Sequence, residues 1–258
     1  MVKNILAVIA GLVIAGQVTA VDIQLGFAAG YGFASGRDEV ASSYIMDNNG
    51  ELIEYKNNLA SYGNGVKFDI DLTIFLNNTL GIMFGTGFSM LGGYSYEQDD
   101  PIFGDREGKY RANYLPISGG LKFQAGWNRL SPYVFVAPGL FIPIGVNGEV
   151  KNYNLQNEYT TTEYEYKFAP GFGISSGIGM LLELSDGLRI RFEFAPTYAF
   201  ARLTERKRID NDGDVSITIY KKNKTDLPED SGNTEYERGA DMFSFSSIAA
   251  KLGIVLTF

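Results

Sequence analysis

Bulky apolar residues and small or polar ones alternate along most of this chain. From Val21, the first segment sets Val21, Ile23, Leu25, Phe27, Tyr31 and Phe33 against Asp22, Gln24, Gly26, Ala28, Gly30 and Gly32. A period of two is that of a β-strand with unlike faces. The pattern recurs, predicting eight strands at about 21–34, 63–76, 79–95, 109–126, 132–147, 163–184, 188–204 and 239–258. The apolar faces carry Val66, Phe68, Ile70 and Leu72 in the second, Ile82, Phe84 and Phe88 in the third, Phe172, Ile174, Ile178 and Met180 in the sixth, and Leu188, Ile190, Phe192 and Phe194 in the seventh. The fifth is apolar on both faces, so its phase stays open. The last places Ile248, Ala250, Leu252, Ile254, Leu256 and Phe258 opposite Ala249, Lys251, Gly253, Val255 and Thr257.

Residue size decides which face points outward. A water-facing exterior needs long charged side chains, yet the second face is mostly Gly, Ala, Ser and Thr with scattered charges. Small residues suit the interior of a narrow barrel and bulky apolar ones suit lipid. No segment after residue 20 holds the roughly 18 uninterrupted apolar residues of a helical span, which leaves a closed barrel as the way to cross a bilayer. The connections alternate: short at Asn77-Asn78, Trp127 to Ser131 and Ser185 to Gly187, long at about 35–62, 96–108, 148–162 and 205–238. This matches short periplasmic turns and long extracellular loops, with both termini periplasmic. Asp47 to Gly50 and Asp212-Gly213 predict hairpins inside the first and fourth loops. Counting those as wall strands gives ten; eight is favoured because they are too charged to face lipid.

At the other end, Lys3 precedes the apolar run Ile5 to Gly16, and Val18-Thr19-Ala20 supplies small residues for cleavage, so residues 1–20 read as a signal peptide and 21–258 as the barrel domain. Lys3 is the one charge removed, taking the formal charge from -8 to -9. The export signal, the alternation and a final strand ending in Phe258 make the chain similar to the small outer-membrane β-barrels of the OmpA/OmpX/OmpW-like type. That resemblance implies an all-β, up-and-down transmembrane barrel in the cell outer membrane of a Gram-negative organism. It also implies that Phe258 is the signal read by the barrel assembly machinery, and that outer-membrane lipid and lipopolysaccharide surround a monomer. No periplasmic peptidoglycan-binding domain follows Phe258, so cell-wall anchoring is not implied.

Composition narrows the chemistry. Zero Cys removes thiolate nucleophiles and disulfides, and zero His removes the usual general base and the commonest metal ligand. Enzymatic barrels of the outer membrane use His beside Asp, Ser or Asn, so no catalytic residue, cofactor or metal is assigned. An acidic chain does not neutralise phosphates, which argues against nucleic acid. With the apolar face outside, Lys67, Asp69, Asp71, Lys122, Gln124, Glu183, Arg191, Glu193 and Lys251 enter the lumen. An unpaired charge there costs several kcal/mol, so an ion-pair network filling the centre is expected. Asp69 and Asp71, two apart on one strand, fit that network better than an acid/base pair.

Five prolines fall in predicted strands, Pro116, Pro138, Pro143, Pro170 and Pro196, three of them preceded by Ala. Each marks a bend or a break in a ladder. A sharper reading makes Pro138, Pro170 and Pro196 a lateral gate, as in OmpW-like barrels. Tyr62, Tyr94, Tyr110, Tyr114, Tyr164, Tyr166 and Tyr198, with Trp127, read as interfacial girdles. Asp210 to Asp214 partly resembles a calcium loop, but Lys221 stands where its distal acid belongs, and a hairpin turn is simpler. The acidic first and second loops read as solvated, or as meeting an extracellular protein or glycan ligand. The function that follows is a non-enzymatic barrel with structural and surface-interaction roles, the alternative being a narrow pore or lateral route for small hydrophobic compounds.

Overall fold

The computed structural model describes residues 22–35, 38–46, 52–60, 62–98, 105–126, 129–154, 158–211, 213–221, 235–239 and 242–258. Its strands are β1 (Ile23–Ala34), β2 (Asp38–Met46), β3 (Leu52–Ala60), β4 (Gly65–Phe75), β5 (Leu80–Gln98), β6 (Arg106–Gln124), β7 (Leu130–Tyr153), β8 (Tyr159–Phe168), β9 (Gly171–Ser185), β10 (Leu188–Ile209), β11 (Val215–Lys221), β12 (Glu235–Gly239), β13 (Met242–Ser244) and β14 (Ser247–Thr257). Antiparallel ladders close a ring in the order β1, β4, β5, β6, β7, β9, β10, β14 and back to β1. Phe258 finishes the seam: its N–H donates to Ile23 O at 2.9 Å and its O accepts from Ile23 N at 3.3 Å.

The wall has eight strands. Among the described residues β2 and β3 pair only with each other, while β11 and β12 extend outward from β10, so the two loop hairpins stay out of the membrane ring. The 47–50 turn and Trp127 lie outside the described residues. At the other hairpin, Asp210 N–H donates to Asp214 O at 2.9 Å, and Gly213 takes a left-handed φ of 83°, as a tight turn demands. The segment expected over 163–184 is one strand in two pieces. β8 and β9 follow one another against β7 in a common register, Val146 opposite Tyr166 and Phe141 opposite Gly171, broken at Ala169 and Pro170.

The second and third loops are shorter than the sequence suggests. β5 and β6 stay paired to Gln98 and Arg106, and β7 and β8 pair to Tyr153 and Tyr159. Above the apolar belt the outer face turns polar, so the contrast in bulk between the faces fades while backbone pairing continues.

The exterior is apolar around the ring: Phe27, Phe68, Phe84, Leu121, Val134, Ile174, Phe192 and Leu252 all point out. The fifth segment's phase is now resolved, with Val134, Val136 and Leu140 outward and Tyr133, Phe135, Ala137 and Phe141 inward. The belt ends on β7 after Ile144, where Asn147 and Glu149 take over the outer face. Ladder irregularities gather at that level: between Ser89 and Gly92 on β5, Ala112 and Tyr114 on β6, and Leu203 and Glu205 on β10. The gap where β7 residues 142–145 face 167–170 completes this collar: Pro143 and Pro170 have no N–H to donate, and Gly145 at φ 69° makes the turn.

Candidate functional site

The lumen is built in layers from residues of one strand parity. On the periplasmic side, Gln24, Thr73, Lys122 and Gln124 are buried. Lys122, 1% exposed, donates to Gln24 Oε1 at 3.0 Å and sits 4.6 Å from the Tyr133 ring centre. The middle layer holds the charges. Arg191 donates to Asp71 (β4) from across the barrel. Lys251 lies 3.0 Å from Glu193 Oε1, a hydrogen bond, and 2.8 Å from Asp69 Oδ2, an ion pair without hydrogen-bond alignment. Tyr133 OH donates to Glu193 Oε2 at 2.7 Å. Lys67 donates to Tyr114 OH at 2.7 Å and to Ser247 Oγ.

Glycine makes this layer possible. Gly179 lies between Tyr133 and Glu193 in the two ladders, and Tyr133 crosses over it to reach the carboxylate. A Cβ on Gly179 would overlap the Tyr133 ring at Cζ. Gly26 is likewise the floor under the Arg191–Asp71 pair, where a Cβ would stand 2.6 Å from Asp71 Oδ2.

Of the residues assigned to the lumen from sequence, Lys67, Asp69, Asp71, Arg191, Glu193 and Lys251 line one shared cavity of about 70 Å³. Lys122 lies outside that lining. Glu183 stands apart: it faces Arg189 at 3.7 Å near the β9–β10 turn, about a third exposed. Pro138, Pro170 and Pro196 all face outward and touch three different ladders. Pairing skips Ala137-Pro138 on the β6 side and Ala195-Pro196 on the β9 side, while it runs unbroken through Pro138 to β9 and through Pro196 to β14.

The upper layer escaped the sequence reading. Tyr62, Tyr114, Phe141 and Phe245 are buried together with Ala112, Val146, Ala199 and Ala201, and Phe168 and Phe243 pack against them. Ring centres are 5.3 Å apart for Tyr62 and Phe245, 5.7 Å for Tyr114 and Phe245, and 6.0 Å for Tyr114 and Phe141. Tyr62 and Tyr114 are therefore inside the barrel rather than in a girdle, and Tyr110 and Tyr166 lean on the same cluster. Tyr198, 60% exposed, does face outward, and the Tyr94 side chain lies outside the described residues. A signal was present: Tyr114 shares its parity with Lys122 and Gln124 on β6, which puts it on the lumenal side.

No protein-family model matches the chain, and no curated protein sequence matches it. Solved structures do. Ail, the attachment invasion locus protein of Yersinia pestis, in complex with the heparin analogue sucrose octasulfate, aligns over 93% of this chain and 100% of its own at 10% identity, with a TM-score of 0.38. The outer membrane protease OmpT of Escherichia coli aligns over 94% and 99% at 12% identity, TM-score 0.48. A major outer membrane protein of Thermus thermophilus aligns over 92% and 99% at 14% identity, TM-score 0.44. By its own geometry, with eight antiparallel strands closed on themselves, an apolar belt outside and charges inside, the chain is a small transmembrane β-barrel of the outer membrane.

Proposed function

We propose that the protein is a non-enzymatic outer-membrane barrel whose filled lumen is a structural core and whose upper tier meets partners outside the cell. One observation carries this reading: the aromatic cluster around Tyr114, Phe141 and Phe245 caps the ion-paired layer and takes the space a water column needs. An eight-stranded barrel is just wide enough for side chains to fill. Enzymatic use of the lumen has little support. Lys67 and Ser247 form the pair of a lysine-activated serine, but Ser247 is fully buried and Lys67 donates to two hydroxyls, as a structural ammonium does.

In this reading residues 1–20 are removed on export, Phe258 is the assembly signal, and the barrel is a monomer among lipid and lipopolysaccharide. The upper tier offers partners a ladder of charges, with Lys167 bonded to Glu205 at 2.8 Å and Lys207 3.4 Å from Glu165. Planar-bilayer recording tests the proposal: the purified protein is expected to give no single-channel steps, and stable steps would refute a filled lumen. A lateral route for small hydrophobic compounds is the second reading, favoured by the open ladder at 142–145 and 167–170 beside Phe141 and Phe168. Vesicles carrying the protein then take up an alkane-chain dye faster than bare ones; equal rates exclude the route.

A further inference from the structure

The outer face above the belt carries a cavity of mixed charge. It measures about 360 Å³, within the roughly 300–1,000 Å³ of small-ligand sites. Lys109 and Arg111 of β6 line one side, Asn147 and Glu149 of β7 the floor, and Glu163 and Glu165 of β8 the other side. The ladders set these side chains in two rows across the strands. Arg111, Asn147 and Glu165 form the lower row, and Lys109, Glu149 and Glu163 the upper one. Asn147 is the first polar outward residue past Ile144, so the lower row stands at the edge of the apolar belt. Below it, exposed Ile117 and Ile144 continue the same face into the hydrocarbon.

Part of this charge is already matched. Glu165 lies 3.4 Å from Lys207 and Glu149 lies 3.7 Å from Lys151, two lysines that stand outside the lining. Among the described residues Lys109, Arg111 and Glu163 take part in no ion pair. What remains is two cations on β6 and one carboxylate on β8, two strand spacings or roughly 10 Å away. On the far side of β6, Gly93 faces Arg111 and Ser95 faces Lys109, so neither cation meets an acid there. Two like charges side by side, with the opposite charge held apart, complement a group that carries both signs along its length.

We infer that this cavity binds the headgroup of a phosphoethanolamine lipid, its phosphate between Lys109 and Arg111 and its ammonium on Glu163, with the acyl chains lying along Ile117 and Ile144. Arg111 meets phosphate oxygens with a fork of N–H donors, and Lys109 adds a point charge. A primary ammonium donates N–H groups to the Glu163 carboxylate. Phosphocholine has no N–H to give, and phosphoglycerol has no positive charge. The assignment rests on the membrane placement proposed above and not on the filled lumen, so channel steps would sink the latter and leave the lipid site standing.

Native mass spectrometry of the detergent-released barrel, titrated with ethanolamine, glycerol and choline phospholipids of matched chains, tests this. The ethanolamine lipid is expected to be retained roughly fivefold more tightly than the other two, the worth of about one surface ion pair. Lys109→Ala combined with Arg111→Ala lowers retention of all three. Glu163→Gln brings the ethanolamine lipid down to the level of the glycerol lipid, and Lys167→Gln, outward but outside the cavity, changes nothing. All four positions are exposed on the surface, so the variants fold. Equal retention of ethanolamine and glycerol lipids, a preference that survives Glu163→Gln, or an equal loss in Lys167→Gln overturns the site. Failure of the natural protein to hold any of the three lipids sinks the membrane placement together with it.

Discussion

Removing the guanidinium from the central ion pair exposes what the lumen charges do. Arg191 and Asp71 bury their side chains to 3% and 9% exposure, and the pair lies flat over Gly26, where no other side chain can follow. Arg191→Met deletes one charge and strands the other; breaking such a buried pair costs about 3–5 kcal/mol. Replacing both partners, Asp71→Leu with Arg191→Met, removes the desolvation cost together with the attraction. The double variant is expected within about 1–2 kcal/mol of the natural protein. Urea unfolding in lipid vesicles, followed by the fluorescence of Trp127, the only tryptophan, reads the difference. With a urea slope of roughly 1–3 kcal/mol per M, Arg191→Met lowers the midpoint by at least about 1 M. A single variant within about 1 kcal/mol of the parent would sink the reasoning, as would a double variant no better than the single.

Three further outcomes are expected. Gly179→Ala pushes a methyl into Tyr133 and separates it from Glu193, costing about 1–3 kcal/mol in the same unfolding assay; an unchanged midpoint means the ring does not lie where described. Gly145→Ala forces an L side chain into a left-handed φ of 69° at the collar and costs roughly 1–2 kcal/mol, without touching any ligand of the lumen charges. Phe258→Ala keeps the backbone bonds to Ile23 and loses an outward side chain 71% exposed, so refolding stability changes little while the amount reaching the outer membrane in cells falls; equal amounts by fractionation count against an assembly signal.

Strands were legible where the two faces differ in bulk. β1 and β14 show it plainly, with Phe27 or Leu252 meeting lipid and Gly26 or Lys251 facing the axis. β7 hid its phase because inward Tyr133, Phe135 and Phe141 are as apolar as outward Val134, Val136 and Leu140. The same ambiguity concealed the aromatic cap. Tyrosine suits both an interface and a packed lumen, and only parity with Lys122 separates them for Tyr114. The charged residues could be assigned to the lumen, but not paired: that Lys251 rather than Lys67 engages Asp69 depends on stagger between strands, which a linear pattern does not contain. Strand ends were placed too early wherever charge replaced bulk, as at Glu97 and Glu107.

The seam between β1 and β14 joins Gln24 to Thr257, nearly opposite ends of the chain. The other wall ladders join strands nearer in sequence, the widest of them pairing Leu188 with Leu256. The seam must wait until the last wall strand is available, and its loop-closure entropy is the largest of the described wall ladders. High contact order slows folding, and until the seam zips, two strand edges stand open in lipid, where unsatisfied backbone groups are costly. Ring closure is therefore the step at which a catalyst of insertion has most to gain, and the backbone of Phe258, bonded to Ile23, completes it.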